Sequence, residues 1–229
     1  MTSYASREYT EITDIRDPEK IRILLDLIPD DVHSIIDIGC GNGLITNKLN
    51  EKYNVLGCDV NSSKLRYVKG PKLQASCDDI PREDRSFDMV FSSEMLEHLP
   101  ERLYRDTLKE FSRLAESYVL ITVPYNEDLH KLEVKCGSCG QIYHKNGHLR
   151  SFDETSFNDK FSGFKTVYTS LYGKPVRKYI RWLADLKHSL TPPNAWIPKH
   201  WVITMGVNYH FCIHCGHRNE LKPVFNPFA

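Results

Sequence analysis

Hydrophobic positions along the chain follow two alternating periodicities between residue 34 and about residue 171. Short apolar runs predict strands, which lie at residues 34–39, 55–59, 72–76, 87–92, 118–123 and 164–171. Apolar positions three or four residues apart predict helices, which lie at residues 18–28, 44–49, 62–68, 101–115 and 153–161. Repeated strand and helix units imply right-handed crossovers, so the pattern predicts an α/β fold built on a parallel sheet.

Two segments interrupt this alternation. The first, residues 133–150, contains Cys136-Gly-Ser-Cys139-Gly140 and is too long for an ordinary connection. The second, residues 172–229, contains a basic helix predicted at 175–190, a proline-rich stretch and Cys212-Ile-His-Cys215-Gly216. The predicted organisation is a core at 1–131 and 151–171, two hairpins at 132–150 and 205–224, and a lid or substrate-binding insert at 172–204. A last antiparallel strand at 202–209 would place the second cysteine pair at the sheet edge opposite the first.

A glycine-rich turn follows the first predicted strand. The segment Asp37-Ile-Gly39-Cys-Gly41-Asn-Gly43 stands where a strand meets a helix, which is the position at which open α/β sheets bind ligands. Asp59 ends the next predicted strand, where a carboxylate can accept both hydroxyls of a ribose. The glycine spacing differs from that of dinucleotide-binding turns. We therefore expect a nucleoside ligand, with a purely structural turn as the alternative.

A polar cluster follows the fourth predicted strand. If this segment is helical, Glu94, Glu97 and His98 lie on one face. Two carboxylates and an imidazole can hold a divalent cation, and His148 can complete the set from a later loop. The alternatives are that His98 acts as a general base or contacts the substrate, or that the segment is structural.

These blocks together resemble the class I S-adenosylmethionine (SAM)-dependent methyltransferases over about residues 15–171. The matching residues are 35–43, Asp59, 75–81 and 86–100. The resemblance implies a Rossmann-like fold with a mostly parallel, seven-stranded sheet flanked by helices. Glycines of the loop would line the methionine part of SAM, Asp59 would hold the ribose, and the adenine contact would fall at 76–77 or 78–79. The implied cofactor-binding residues are Asp37, Gly39, Cys40, Gly41, Gly43, Asp59, Val60, Cys77, Asp78 and Ser93.

The polar cluster is similar to that of two methyltransferase subgroups, the ubiquinone-pathway O-methyltransferases and the small-RNA 2′-O-methyltransferases with a Glu-x-x-Glu-His metal site. Both subgroups methylate hydroxyls. The resemblance therefore implies O-methylation of a small molecule, a sugar or a glycan precursor. One alternative is an RNA 2′-O-methyltransferase with a divalent cation at a Glu/Glu/His site, and another is a non-catalytic binding protein with this fold. The implied catalytic residues are Glu94, Glu97, His98 and His148.

The two Cys-x-x-Cys-Gly segments predict one closed metal site. Four cysteine ligands, Cys136, Cys139, Cys212 and Cys215, leave no open coordination position, so the predicted metal is a structural Zn²⁺ in an arrangement that looks like a zinc ribbon. A redox-active disulfide pair is the alternative. The remaining cysteines, Cys40, Cys58 and Cys77, are predicted to pack as small apolar residues.

Net charge and hydropathy limit the classes of partner that the sequence favours. Thirty basic residues balance thirty acidic ones, so no net field attracts nucleic acid, and RNA is the less favoured acceptor. The basic helix at 175–190 is expected to cover the active site, with a phosphate or anionic-lipid contact as the alternative. No segment approaches the roughly 20 apolar residues of a membrane span, and the first 20 residues lack an apolar run. We expect a soluble, cytoplasmic protein, whose oligomeric state the sequence does not predict.

Overall fold

The structure is a computed structural model of the 229-residue chain, and it describes residues 18–173, 180–190 and 209–220. The chain divides into two compact units. Among the described residues, the larger unit comprises 18–125 and 152–173, and the smaller unit comprises 126–151, 180–190 and 209–220.

The larger unit is built on a sheet of five strands, all parallel, in the order β3-β2-β1-β4-β5. The strands are β1 (Ser34–Ile38), β2 (Asn54–Asp59), β3 (Lys72–Gln74), β4 (Phe87–Ser93) and β5 (Ala115–Thr122). The α-helices are α1 (Pro18–Asp26), α2 (Leu44–Leu49), α3 (Ser62–Leu65) and α4 (Glu101–Leu114), and a short 3₁₀ helix spans Leu96–His98. This arrangement confirms the predicted α/β class with a parallel sheet.

Strand order reverses between β1 and β4, because the chain runs outward to β3 and then returns to the other side of β1. The carboxyl ends of β1, β2 and β4 consequently meet at one edge of the sheet, which is the ligand-binding position of such folds. Both faces of β1 are covered, and Ile35 and Ile36 are fully buried in the two separate hydrophobic clusters. The well-packed sheet therefore supports the loops that follow these strands at that edge.

Two predicted elements of the larger unit are wrong. Residues 153–161 form turns instead of a helix, because the Asp153 carboxylate accepts the amide hydrogen of Thr155 and Asp159 has a left-handed φ of 56°. Residues 164–171 form no strand, and Val167 in this segment is 79% exposed. The described part of the sheet thus has five strands where seven were predicted, and residues 202–208 of the proposed last strand lie outside the described residues.

The smaller unit contains two short antiparallel hairpins. Its elements are a 3₁₀ helix (Leu129–Leu132), β6 (Glu133–Lys135), β7 (Ile142–His144), α5 (Arg181–Leu190), β8 (Tyr209–Phe211) and β9 (Arg218–Glu220). A small core of Val134, Tyr143 and two cysteines lies between the hairpins. The predicted basic helix is described from Arg181 onward, and its earlier basic residues lie outside the described residues. In the described part of the chain, no helix is both long and apolar enough to cross a membrane.

Candidate active site

Backbone hydrogen bonds tie the loop between β1 and α2 to the neighbouring strand. The amides of Gly39 and Cys40 both donate to the carbonyl oxygen of Cys58, at 2.8 and 3.0 Å. The amide of Gly43 donates to the carbonyl oxygen of Cys40 at 3.0 Å and closes the turn before α2. The loop is therefore fixed at the carboxyl edge of the sheet, next to the reversal of strand order.

Gly39 and Gly41 of this loop differ in what surrounds them. Gly39 has a φ of 79°, and a Cβ there would lie only 2.4 Å from Cγ of Met95. Gly41 has a φ of 58°, but a Cβ at this position would meet nothing within 4 Å. The backbone of Gly41 thus borders open space, as expected of a loop that a ligand approaches closely.

Asp59 is the acidic residue at the end of β2 and is only 9% exposed. Its Oδ2 accepts a hydrogen bond from the amide of Gly41, and its Oδ1 accepts one from the amide of Asn61, each at 2.8 Å. A carboxylate oxygen has two lone pairs, so each oxygen can accept a second donor. Asp59 is therefore held in place while it remains able to accept two hydroxyl groups.

Asp37 lies at the end of β1 and is almost fully buried. Its Oδ2 accepts a hydrogen bond from the hydroxyl of Thr46 at 2.7 Å. Burial raises the pKa of Asp37 to about 7, because the hydrogen bond from Thr46 offsets the desolvation only in part and the charge of Asp59 adds to the increase. The protein thus holds a carboxyl group that changes its charge near neutral pH.

The turn after β3 contains the residues predicted beside the adenine. The side chains of Ser76 and Asp78 are hydrogen-bonded to each other, and Ser76 is bridged to Asp79 by the backbone. Cys77 is partly buried, and its Sγ accepts a hydrogen bond from the hydroxyl of Thr107 at 3.2 Å. At the tip of β2, the apolar side chain of Val60 is 57% exposed.

The polar segment after β4 is not a continuous helix. Glu94 has a φ of 53°, and the 3₁₀ helix begins only at Leu96, so the helical condition under which Glu94 would share a face with Glu97 and His98 is not met. The Glu94 carboxylate forms an ion pair with Lys20 at 3.0 Å instead. The left-handed turn separates Glu94 from the other two residues of the segment.

Glu97 and His98 form a pair of which only the imidazole reaches solvent. The Glu97 side chain is 0% exposed, the His98 side chain is 27% exposed, and Oε1 of Glu97 lies 4.0 Å from Nε2 of His98. At that distance the carboxylate stabilises the imidazole once it takes up a proton. Nearby, the hydroxyls of Ser93 and Thr122 are hydrogen-bonded to each other at 2.8 Å.

His148 lies in the smaller unit, in the loop after β7. Its Nδ1 is 2.5 Å from Oε2 of Glu127, and its ring stacks on that of His144 with the centroids 4.6 Å apart. Burial lowers the pKa of His144 to about 4, and His148 contributes to the decrease. Glu127 and His144 were not predicted as site residues. The signal that could have indicated His144 is its position as a second histidine four residues before His148.

The two Cys-x-x-Cys segments, here called the first knuckle (Cys136 and Cys139) and the second knuckle (Cys212 and Cys215), come together in the smaller unit. Their four sulfur atoms all lie within 4.8 Å of one another. Sγ of Cys136 lies 3.7 Å from Sγ of Cys215, and Sγ of Cys139 lies 3.7 Å from Sγ of Cys212. A disulfide requires about 2.05 Å, whereas the edge of a tetrahedron with Zn–S distances of about 2.3 Å is about 3.8 Å. The geometry is that of a metal-ligand set.

The turn of the first hairpin directs two backbone amides toward sulfur. The amides of Ser138 and Cys139 lie 3.4 and 3.5 Å from Sγ of Cys136. Burial raises the pKa of Cys136, but these two amide hydrogen bonds, together with those from the side chains of Asn219 and Cys139, bring it down to about 6. The thiolate form that binds metals is therefore favoured at this position.

Asn219 connects the two hairpins, although no sequence motif marks it as a site residue. Its side chain is fully buried, accepts a hydrogen bond from the amide of Gly137 at 2.8 Å and donates to the hydroxyl of Tyr143 at 2.9 Å. The same amide nitrogen lies 3.7 Å from Sγ of Cys136. Asn219 therefore fixes the first knuckle relative to the second.

Comparisons with known proteins bear on the larger unit. Residues 36–119 match a family model described as a methyltransferase domain. An uncharacterized protein of Methanocaldococcus jannaschii is 31% identical over 146 residues, which cover 62% of this chain and 59% of that protein. The chain therefore spans about three fifths of the length of this relative.

Solved structures are similar to this chain at lower sequence identity. The YcgJ protein of Bacillus subtilis superposes with a TM-score of 0.50 at 16% identity, over 62% of this chain and 65% of that one. A SAM-dependent methyltransferase of Archaeoglobus fulgidus has a TM-score of 0.43 at 23% identity, over 49% of this chain and 54% of that one.

The family match begins within β1 and ends within β5. It contains the glycine loop and Asp59 at the carboxyl edge of the parallel sheet, together with Glu97 and His98. Residues 36–119 are therefore similar in sequence to methyltransferase domains.

Proposed function

We propose that the chain is a SAM-dependent methyltransferase that methylates a hydroxyl group on a small molecule, a sugar or a glycan precursor. The observation that carries this proposal is the pairing of Gly41 with Asp59. The loop backbone at Gly41 faces open space, and its amide is bonded to a carboxylate that can accept two more hydrogen bonds. This pairing lies at the edge of the sheet where a nucleoside is expected.

The residues around this edge fit SAM. When bound, SAM supplies an electrophilic methyl group on a sulfonium. In the proposal, the loop backbone lies against the methionine part, Asp59 accepts the ribose hydroxyls, and Asp37 orients the loop and the amino group. The proposed contacts are Asp37, Gly39, Cys40, Gly41, Gly43, Asp59, Val60, Cys77, Asp78 and Ser93.

The pH dependence of protein stability provides a test of the role of Asp37. With a pKa of about 7 in the folded protein and an ordinary value of 3.8, the folded state holds a proton that the unfolded chain releases. Wild-type stability should therefore decrease as the pH rises from about 4 to about 7 and level off above. Asp37→Asn keeps an acceptor for Thr46 but removes this dependence, so it should be the more stable protein near pH 8, by roughly 1–4 kcal/mol.

Urea denaturation at pH 5 and pH 8 measures this difference, and calorimetry gives the SAM affinity. If Asp37 orients the cofactor's amino group, Asp37→Asn binds SAM about tenfold more weakly while being more stable at pH 8. A purely structural carboxylate would leave the affinity unchanged. A stability difference that is the same at both pH values would contradict the pKa of about 7.

His98 is the proposed base for the acceptor hydroxyl. A hydroxyl of high pKa must lose its proton as it attacks the methyl group, and a positioned imidazole can accept that proton. The solvent-reaching imidazole of His98 and the buried carboxylate of Glu97 support this assignment, since the carboxylate favours the imidazolium that results. The second route, in which Glu94, Glu97, His98 and His148 hold a divalent cation, would make the reaction dependent on that cation.

Replacing His98 by alanine tests this assignment. We expect SAM binding within about threefold of the wild type and a methyl-transfer rate lower by about 10²- to 10⁴-fold. The measurement is transfer of labelled methyl from SAM to a small-molecule extract and, separately, to total RNA, with and without EDTA.

His33→Ala is the matched control, because His33 is an exposed histidine at the opposite end of β1. Unchanged transfer by His98→Ala would contradict the assignment. Loss of transfer in EDTA that added Mg²⁺ restores would favour the cation route, and transfer to RNA alone would replace the proposed acceptor class.

The smaller unit is proposed to hold one structural Zn²⁺ through Cys136, Cys139, Cys212 and Cys215. Sulfur separations of 3.7 Å support this proposal, since they match the edge of a zinc tetrathiolate. Amide hydrogen bonds to Cys136 and the buried Asn219 support it further, because metal sites are oriented by such contacts. Four protein ligands leave no position for a substrate, so the zinc would stabilise the unit rather than act in catalysis.

A further inference from the structure

A second cluster of metal-binding residue types lies in the smaller unit. Glu127, His144 and His148 each offer one side-chain ligand atom, and these atoms all lie within 4.8 Å of one another. All three side chains are mostly buried: they are 18%, 3% and 11% exposed, respectively. Two histidines and a carboxylate can form a three-ligand metal site. Whether this cluster can do so depends on which ring nitrogens carry protons, and the hydrogen bonds indicate this.

The position of the proton on His144 argues against a three-ligand metal site. Nδ1 of His144 accepts a hydrogen bond from the backbone amide of His148 at 3.1 Å, so this nitrogen carries no proton. The neutral ring must then carry its proton on Nε2. Nε2 lies 3.5 Å from Oε1 of Glu127 but makes no hydrogen bond to it. A nitrogen that holds a proton has no lone pair for a metal, so His144 in this tautomer is not a metal ligand.

In His148, unlike in His144, the proton of the neutral ring lies on Nδ1. Nδ1 of His148 is 2.5 Å from Oε2 of Glu127, and a carboxylate can only accept in this bond. Nδ1 therefore carries the proton of the neutral ring, and Nε2 carries the lone pair. The stacked ring of His144, inclined by 25°, restricts rotation of the His148 ring about this bond.

We propose that Glu127 is a positioning residue that fixes His148 in the Nδ1–H tautomer and presents the lone pair of Nε2 as its reactive atom. His144 lies against the second carboxylate oxygen of Glu127, with its Nε2 3.5 Å away. This assignment rests on the proposed function, because His148 is a candidate catalytic residue only if the chain transfers methyl groups. A lone pair at Nε2 is what either a proton acceptor or a cation ligand requires.

The tautomer of His148 can be measured without SAM or an acceptor. Long-range ¹H–¹⁵N correlation spectra of the full chain at about pH 8.5 report which ring nitrogen is protonated, and His148→Asn assigns the signals. We expect a protonated Nδ1 and an unprotonated Nε2 in the wild type. Glu127→Gln keeps an acceptor oxygen and should preserve this tautomer, whereas Glu127→Ala should shift it toward the Nε2–H form that free imidazole side chains favour.

Glu133→Gln is the matched control, because Glu133 pairs with Nδ1 of His130 at 3.1 Å in the same unit and should leave His148 unchanged. A protonated Nε2 in the wild type, or the same tautomer in Glu127→Ala, would overturn the proposal. Given an acceptor, Glu127→Ala should lower kcat about 10- to 100-fold with the KM for SAM unchanged, and Glu127→Gln should retain most activity. The expected tautomers without any methyl transfer would refute the proposed function and leave the role of Glu127 standing.

Discussion

Replacing Asp59 by alanine is expected to lower the affinity for SAM by about 100- to 10,000-fold. The side chain would lose two charge-assisted hydrogen bonds to the ribose hydroxyls, each contributing about 1.5–3 kcal/mol. The amide of Gly41 would also lose its 2.8 Å bond to the carboxylate, which loosens the loop against which the cofactor lies. Isothermal titration calorimetry with SAM and with its demethylated product measures the effect.

Asp88→Ala separates this loss from general destabilisation. Asp88 also accepts two backbone amide hydrogen bonds, from His33 and Ser34 at 2.8 Å each, but at the opposite end of the sheet. These bonds hold the pKa of the Asp88 carboxyl below its ordinary value, so it too is an anion with a structural role. Asp88→Ala should destabilise the fold comparably and bind SAM within about threefold of the wild type. Equal affinity losses in the two variants, or none in Asp59→Ala, would contradict the nucleoside site.

The parts of the fold that the sequence predicted well are those set by local pattern and burial. The runs at Ser34–Ile38 and Phe87–Ser93 are apolar because both faces of these strands are covered, and the long helix Glu101–Leu114 repeats every three to four residues. Residues 153–161 and 164–171 show similar spacing but are not regular elements. Their conformation is decided by side-chain hydrogen bonds and solvent exposure, which a periodicity does not record.

The candidate site also has features that the sequence predicts and features that it does not. The glycine loop and the two cysteine knuckles were predictable, because each needs particular residue types at fixed short spacing. The left-handed turn at Glu94 was not, since it follows from a backbone bond to Thr122 and an ion pair with Lys20 from distant segments. Glu127 reaches His148 across 21 residues of sequence, and no local motif carries that information.

Substitution of Cys212 by serine is expected to abolish binding of the single zinc ion and to unfold the smaller unit. The described core of this unit is little more than Val134, Tyr143 and the cysteines themselves, so few apolar contacts remain to hold the two hairpins together. Structural zinc in small domains contributes on the order of 10 kcal/mol at neutral pH, more than such a core can replace. Native mass spectrometry should count one zinc in the wild type and none in Cys212→Ser, and limited proteolysis should show new cleavage at 126–151.

Cys58→Ala is the control for this experiment, because Cys58 is a buried cysteine of β2 in the larger unit and should leave one zinc bound. Adding a chelator to the wild type should reproduce the proteolysis pattern of Cys212→Ser, since in both cases the thiolate tetrahedron loses the ion that joins its two halves. A reducing agent alone should have no such effect, whereas a disulfide pair would open under reduction and resist chelation. A wild-type protein that contains no metal and is opened only by reduction would therefore refute the zinc site, even with its sulfur atoms 3.7 Å apart.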